Sequence, residues 1–149
     1  MTHEYYMQMA LREAQLAYEE GEIPVGAVIV GNGQVLAKAH NQTERLQDPT
    51  AHAEMLALTA ATYALGAKYL HHCALYVTLE PCLMCAGAIF WTQPGLIVFG
   101  TADAKRGYQR FQALQPPHTP LHPKTQVIGG LLEAECQEIL SRFFQNLRK

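Results

Sequence analysis

Residues 78–88, "TLEPCLMCAGA", decide how this chain reads. They set Cys82 and Cys85 three apart, directly after Pro81 and the apolar run "ALYVTL". The run reads as a buried strand over 74–79, and the residues behind Pro81 as a short helix reaching about residue 91. Both cysteines therefore open a helix at the end of a strand. Three-residue spacing puts their sulfurs on one face, and the helix dipole favours thiolates there. Four uses stay open for such a pair: a redox couple, half of a structural zinc site, part of a catalytic zinc site, or packing.

The flanking sequence supplies the frame. Met7, Ala10, Leu11, Ala14, Ala17 and Tyr18 recur at helical spacing over 4–20, with Gly21 as the stop. "VGAVIV", "GNG" and "QVLAKAH" read as strand, hairpin turn and returning strand over 25–40. A polar loop ending in "DPT" follows, with Thr50 as N-cap of a helix over 51–65. "GLIVFG" is a further strand, the proline-bearing stretch 106–125 reads as irregular, "TQVIGG" is a fifth strand, and a helix over 131–147 closes the chain. The order α-β-β-α-β-α-β-loop-β-α implies a central sheet covered by helices on both faces, in one domain over 1–149.

Bulk properties exclude several classes. A hydrophobic fraction of 49% with 16% charged residues describes a globular chain, not a disordered one. No run approaches the roughly 18–20 apolar residues of a membrane span. The N-terminus, with Glu4 and Glu13, lacks the layout of a secretory signal, so a cytoplasmic protein with reduced cysteines is expected. The "NQT" at 41–43 is then no glycosylation site. A net charge of −2 gives no global argument for nucleic acid, but residues 101–149 hold seven bases against four acids, where 1–60 hold eight acids against three bases. Phosphate binding works through such local clusters.

Two cysteines have structural explanations. Cys136 lies on the helical stripe Leu132, Cys136, Ile139, Leu140, Phe143, and Cys73 in the alternation Cys73, Leu75, Val77, Leu79. For Cys82 and Cys85, a zinc finger with His118 and His122 fails on spacing: 32 residues lie between Cys85 and His118, against roughly 12–15 in the finger pattern. The prolines around both histidines also forbid its helix. A better third ligand is His52 in "TAHAE" at 50–54. Glu54 raises its standing, because a carboxylate in an alanine- and leucine-rich helix needs a partner or a task. Residues two apart point roughly 200° apart on a regular helix, so His52 and Glu54 require an irregular first turn. Three ligands, His52, Cys82 and Cys85, leave the fourth tetrahedral position of a zinc ion to water, the mark of a catalytic site. Glu54, as a non-ligand, would move protons.

H-x-E followed by P-C-x-x-C is the signature of zinc-dependent nucleobase deaminases. The chain resembles the cytidine deaminase-like superfamily, and within it the bacterial tRNA-specific adenosine deaminases (TadA type), over about residues 4–147. "GEIPVGAVIV", "DPTAHAE", "LYVTLEPCLMCAGA", "VFGTADAKRG" and the C-terminal "LLEAECQEILSRFFQNLRK" carry the resemblance. It implies a three-layer α/β/α fold with a central five-stranded mixed sheet, one zinc ion held by His52, Cys82 and Cys85, and Glu54 as general acid/base. The implied reaction is hydrolysis of the wobble adenosine of a tRNA anticodon stem-loop to inosine, by a homodimer. Asn41 matches the asparagine that hydrogen-bonds the flipped base, and Asp103 and Lys105 match positions near the RNA backbone. Phe143 and Phe144 match an RNA-contacting C-terminal helix, although the stripe places Phe143 in the core. The stretch "YQRFQALQPPHTPLHPKT" departs from the small-residue loop common in the family. The rival readings are a deaminase of a free base or nucleoside, such as guanine, cytosine or cytidine, and a noncatalytic zinc-stabilised RNA-binding module.

Overall fold

The described residues, 1–114 and 119–148 of this computed structural model, form α1 (His3–Glu19), β1 (Gly26–Gly31), β2 (Gln34–His40), α2 (Ala53–Leu65), β3 (Cys73–Leu79), α3 (Leu83–Thr92), β4 (Leu96–Thr101), α4 (Tyr108–Leu114), β5 (Gln126–Ile128) and α5 (Glu133–Leu147). The strands lie in one sheet of order β2-β1-β3-β4-β5. β1 runs antiparallel to β2 and β3, whereas β3, β4 and β5 are mutually parallel. This is the expected mixed five-stranded sheet.

Local chemistry explains the register. Asn32 and Gly33, at φ 52° and 73°, close the β1–β2 hairpin in the left-handed conformation that matches strand twist. Every residue of β1 is buried, since both its faces are covered. Ala27, Ile29, Leu75, Val77 and Ile97 share one core with α2 and α3, and Val28, Val30, Tyr76 and Val98 share the other with α1 and α5. α1 approaches β1 so closely that a Cβ on Gly26 would overlap the Ala10 carbonyl oxygen. Cys73 and Cys136 are buried, as their patterns predict.

Two expectations are corrected. α2 begins at Ala53 with His52, not Thr50, as its N-cap. Thr50 instead turns back on Asp48, to which its N–H and hydroxyl donate at 2.9 and 2.7 Å. The stretch 106–125 is also not wholly irregular, because Tyr108–Leu114 is helical. His118, Pro116 and Pro117 of the rejected finger lie outside the described residues. Among the described residues no helix is long and apolar enough to cross a membrane.

Candidate metal centre and active site

Two helix N-termini converge at the C-terminal side of β3. His52 is the N-cap of α2 and Cys82 the N-cap of α3, both extended at φ −74°, ψ 152° and φ −71°, ψ 174°. Neither side chain caps its own helix, which leaves both donor atoms free. Cys85 lies in the first turn of α3. Its sulfur is 3.5 Å from His52 Nδ1, and the Cys82 sulfur 3.7 Å. The three donor atoms lie within 4.8 Å of one another. A tetrahedral zinc with arms of about 2.0–2.3 Å has an N–S edge of about 3.6 Å, so the spacing fits that ion. Among the described residues no fourth His, Cys, Asp or Glu joins the group, which argues against a closed structural site.

His52 lies just outside the helix and Glu54 inside its first turn, which is the irregular start their spacing requires. Glu54 is 4% exposed. Burial pushes its carboxyl up to about 7, and negative charge on Cys82 adds to this. Hydrogen bonding from the Cys85 thiol, with help from His52, lowers the Cys82 thiol to about 4. That hydrogen bond and burial push the Cys85 thiol far up, and His52 is raised by its contact with Cys82. Without a metal, the four groups thus compete for protons at close range. A divalent cation would displace the shared protons and let both sulfurs ionise, and imidazole plus two thiolates is a zinc donor set.

Asn41 is the link between loop and helix. It is 7% exposed, and its Oδ1 accepts the N–H of Ala53 at 2.7 Å, supplying the cap that His52 does not. The amide orientation is thereby set, with Nδ2 turned away from that bond. Lys105 borders an outer groove, a space of about 550 Å³ shared with Arg106, Phe144 and Arg148, which adjoins a hollow at His52 through Ile23. Asp103 spends Oδ1 on the backbone N–H groups of Lys105 and Arg106, at 3.1 and 3.0 Å, and so shapes the turn that presents them. Phe143 is buried, as the stripe predicts, and Phe144 is exposed.

Sequence reasoning passed over two other buried carboxylates, Glu22 and Glu80, each about as enclosed as Glu54. The signal was available: the cost argument that singles out Glu54 applies equally to an acid between apolar residues in "GEIPVG" and "TLEPC". Glu80 reaches the loop after β4, which Pro81 also holds by accepting the Tyr108 N–H at 2.9 Å. These remote acceptors are what allow α4 to start.

Known proteins are similar to this chain in sequence and fold. A family model for the cytidine and deoxycytidylate deaminase zinc-binding region matches residues 1–101, a span that holds His52, Glu54, Cys82 and Cys85. The tRNA-specific adenosine deaminase of Aquifex aeolicus (strain VF5) is 47% identical over 99% of this chain and 97% of its own length. The chain belongs to the tRNA-specific adenosine deaminases. The Bacillus subtilis (strain 168) member of that family is 45% identical over 98% of this chain and 91% of its own. A solved structure from work on A-to-I editing by deaminases of the tRNA wobble position superimposes with a TM-score of 0.82 at 43% identity, over 91% of this chain and 99% of that one. In this deaminase the zinc-region match stops at Thr101, so the groove carrying Asp103 and Lys105 rests on the longer matches.

Proposed function

We propose that the chain is a zinc-dependent hydrolase that converts adenosine to inosine at the wobble position of a tRNA anticodon stem-loop, as one cytoplasmic deaminase domain. The observation that carries this is Glu54, a buried carboxylate outside the donor group, beside the three convergent donors found among the described residues. When bound by His52, Cys82 and Cys85, zinc supplies a Lewis acid that lowers the pKa of a water to about 7. Glu54 accepts a proton from the water as its oxygen adds to C6 of adenine and passes it to the ring nitrogen. It then takes the second proton, from the new C6 hydroxyl, and delivers it to the amino group, which leaves as ammonia while C6=O forms. Its raised pKa suits a group that must both take and give a proton near neutrality. Asn41, held through Oδ1, offers Nδ2 to the flipped base.

Lys105, Arg106 and Arg148 around the outer groove support an RNA substrate, since a free base would leave them without a task. Asp103 serves that surface through the turn it shapes. Tyr63 and Trp91, at 89% and 72% exposure, support burial of the α2–α3 side in a homodimer.

The test incubates the pure protein with tRNA carrying a wobble adenosine, and separately with free guanine, cytosine, cytidine and adenosine, with products read by mass spectrometry. Inosine in tRNA alone is expected. Turnover of a free base alone would overturn the reading in favour of a small-molecule deaminase.

A further inference from the structure

We propose that Glu22 and Glu80 are positioning residues, Glu22 fixing a wall of the hollow at His52 and Glu80 a wall of the basic groove that adjoins it at Ile23. The inference deepens, and rests on, the reading of that groove as the RNA path. The two carboxylates are 1% and 3% exposed, and neither enters an ion pair among the described residues. Each spends its oxygens on the backbone of one loop. Glu22 Oε1 accepts the Glu44 N–H at 3.0 Å and the Thr43 hydroxyl at 3.3 Å, and Oε2 accepts the Arg45 N–H at 2.9 Å. Glu80 Oε1 accepts the Asp103 N–H at 3.0 Å, and Oε2 the Gln109 N–H at 2.9 Å. Gly107 packs so tightly that a Cβ there would overlap the Glu80 carboxyl, and its backbone bridges Cys82.

The held loops are the walls themselves. Thr43, Glu44, Gln47 and Asp48 line a hollow of about 450 Å³ that reaches His52. Residues 102–106 line the groove of about 550 Å³, and Ile23, next to Glu22, touches both spaces. Neither loop belongs to a strand ladder or a long helix, so backbone N–H groups that a ladder would satisfy are taken by a carboxylate from below. An apolar residue in either place would leave those N–H groups without acceptors. What the acid adds is two acceptors at a set spacing. Glutamine keeps the volume but brings an NH2 against a loop N–H, which breaks at least one of the three bonds to Glu22 or one of the two to Glu80.

Glu22→Gln and Glu80→Gln in the zinc-loaded protein test this, with an anticodon stem-loop RNA as substrate. Amide exchange should quicken about tenfold over 43–48 only in the first variant and over 102–109 only in the second. Zinc should stay near one per chain, while KM rises about tenfold and kcat stays within about threefold. Exchange quickening across the sheet, loss of zinc, or an unchanged KM despite a loosened loop would each overturn the assignment. If a glutamine variant fails to fold, Gly107→Ala displaces the same wall from the other side and should reproduce the Glu80 signature; an unaltered loop there counts against the proposal. If the wild type leaves the RNA unchanged, the proposed substrate falls, and the exchange pattern alone then upholds or overturns the loop assignment.

Discussion

Asn41 has one observed task and one proposed, on different atoms of its amide, and the two can be separated by mutation. Oδ1 caps α2 through Ala53, while Nδ2 is the donor proposed to meet the base. Asn41→Asp keeps an acceptor in place and deletes the donor. It should fold normally and retain zinc, yet raise KM for the anticodon stem-loop at least tenfold, as measured by steady-state kinetics. Asn41→Ala removes the cap as well, and denaturant titration should show a further loss of about 1 kcal/mol. Equal kinetics for the Asp variant and the wild type would remove Asn41 from base recognition. Glu54 carries the complementary prediction, because its proposed work is chemical and not coordinative. Glu54→Ala should keep about one zinc per chain by metal analysis while turnover falls by about 10²–10⁴. Loss of the metal in that variant would make Glu54 a ligand and sink the proton-shuttle role.

The helices differ in how their starts are encoded, and this decides what could be read beforehand. His52 and Cys82 stand at N-caps and Cys85 in a first turn, positions marked locally by Pro49, Pro81 and the apolar runs that follow. The triad was therefore legible from these positions, as was the succession of five strands along the chain, whereas their order in the sheet was not. The cap of α2 comes instead from Asn41, 12 residues earlier, and that of α4 from Glu80 and Pro81, 29 and 27 residues earlier for the bonds they make. No local pattern announces a remote acceptor, which is why the sequence points to Thr50 as the cap and leaves the helix at Tyr108–Leu114 unmarked. Setting donors at two helix starts also governs metal uptake. Cys82, lowered to about 4, is already a thiolate near neutrality, whereas the raised Cys85 and His52 still hold protons that a metal must displace. Zinc affinity should therefore rise as pH goes from 6 to 8, by about one to two powers of ten per unit, in competition with a chelator of known affinity. A slope near zero would mean that Cys85 and His52 do not ligate.

Across the whole molecule, net charge and local charge point in opposite directions. The chain carries −2 overall, so a polyanion gains nothing from its distant field, and attraction must come from Lys105, Arg106 and Arg148 around the groove. Single-stranded nucleic acid releases about 0.7 counterion per phosphate neutralised. Three contacts therefore give a log–log slope of about −2 against salt. Between 50 and 200 mM salt, KM for the anticodon stem-loop should rise about 20-fold. Lys105→Ala should reduce the slope by about 0.7 and weaken binding alike for every flanking sequence, because a phosphate contact carries no base information. A free base has no phosphates, so a deaminase of that class would show a KM nearly flat with salt and unaffected by Lys105→Ala. Steady-state kinetics over the salt series, wild type against variant, separates the two: a flat profile with RNA would mean that the basic groove is an ordinary solvated surface and that the substrate enters by the His52 hollow alone.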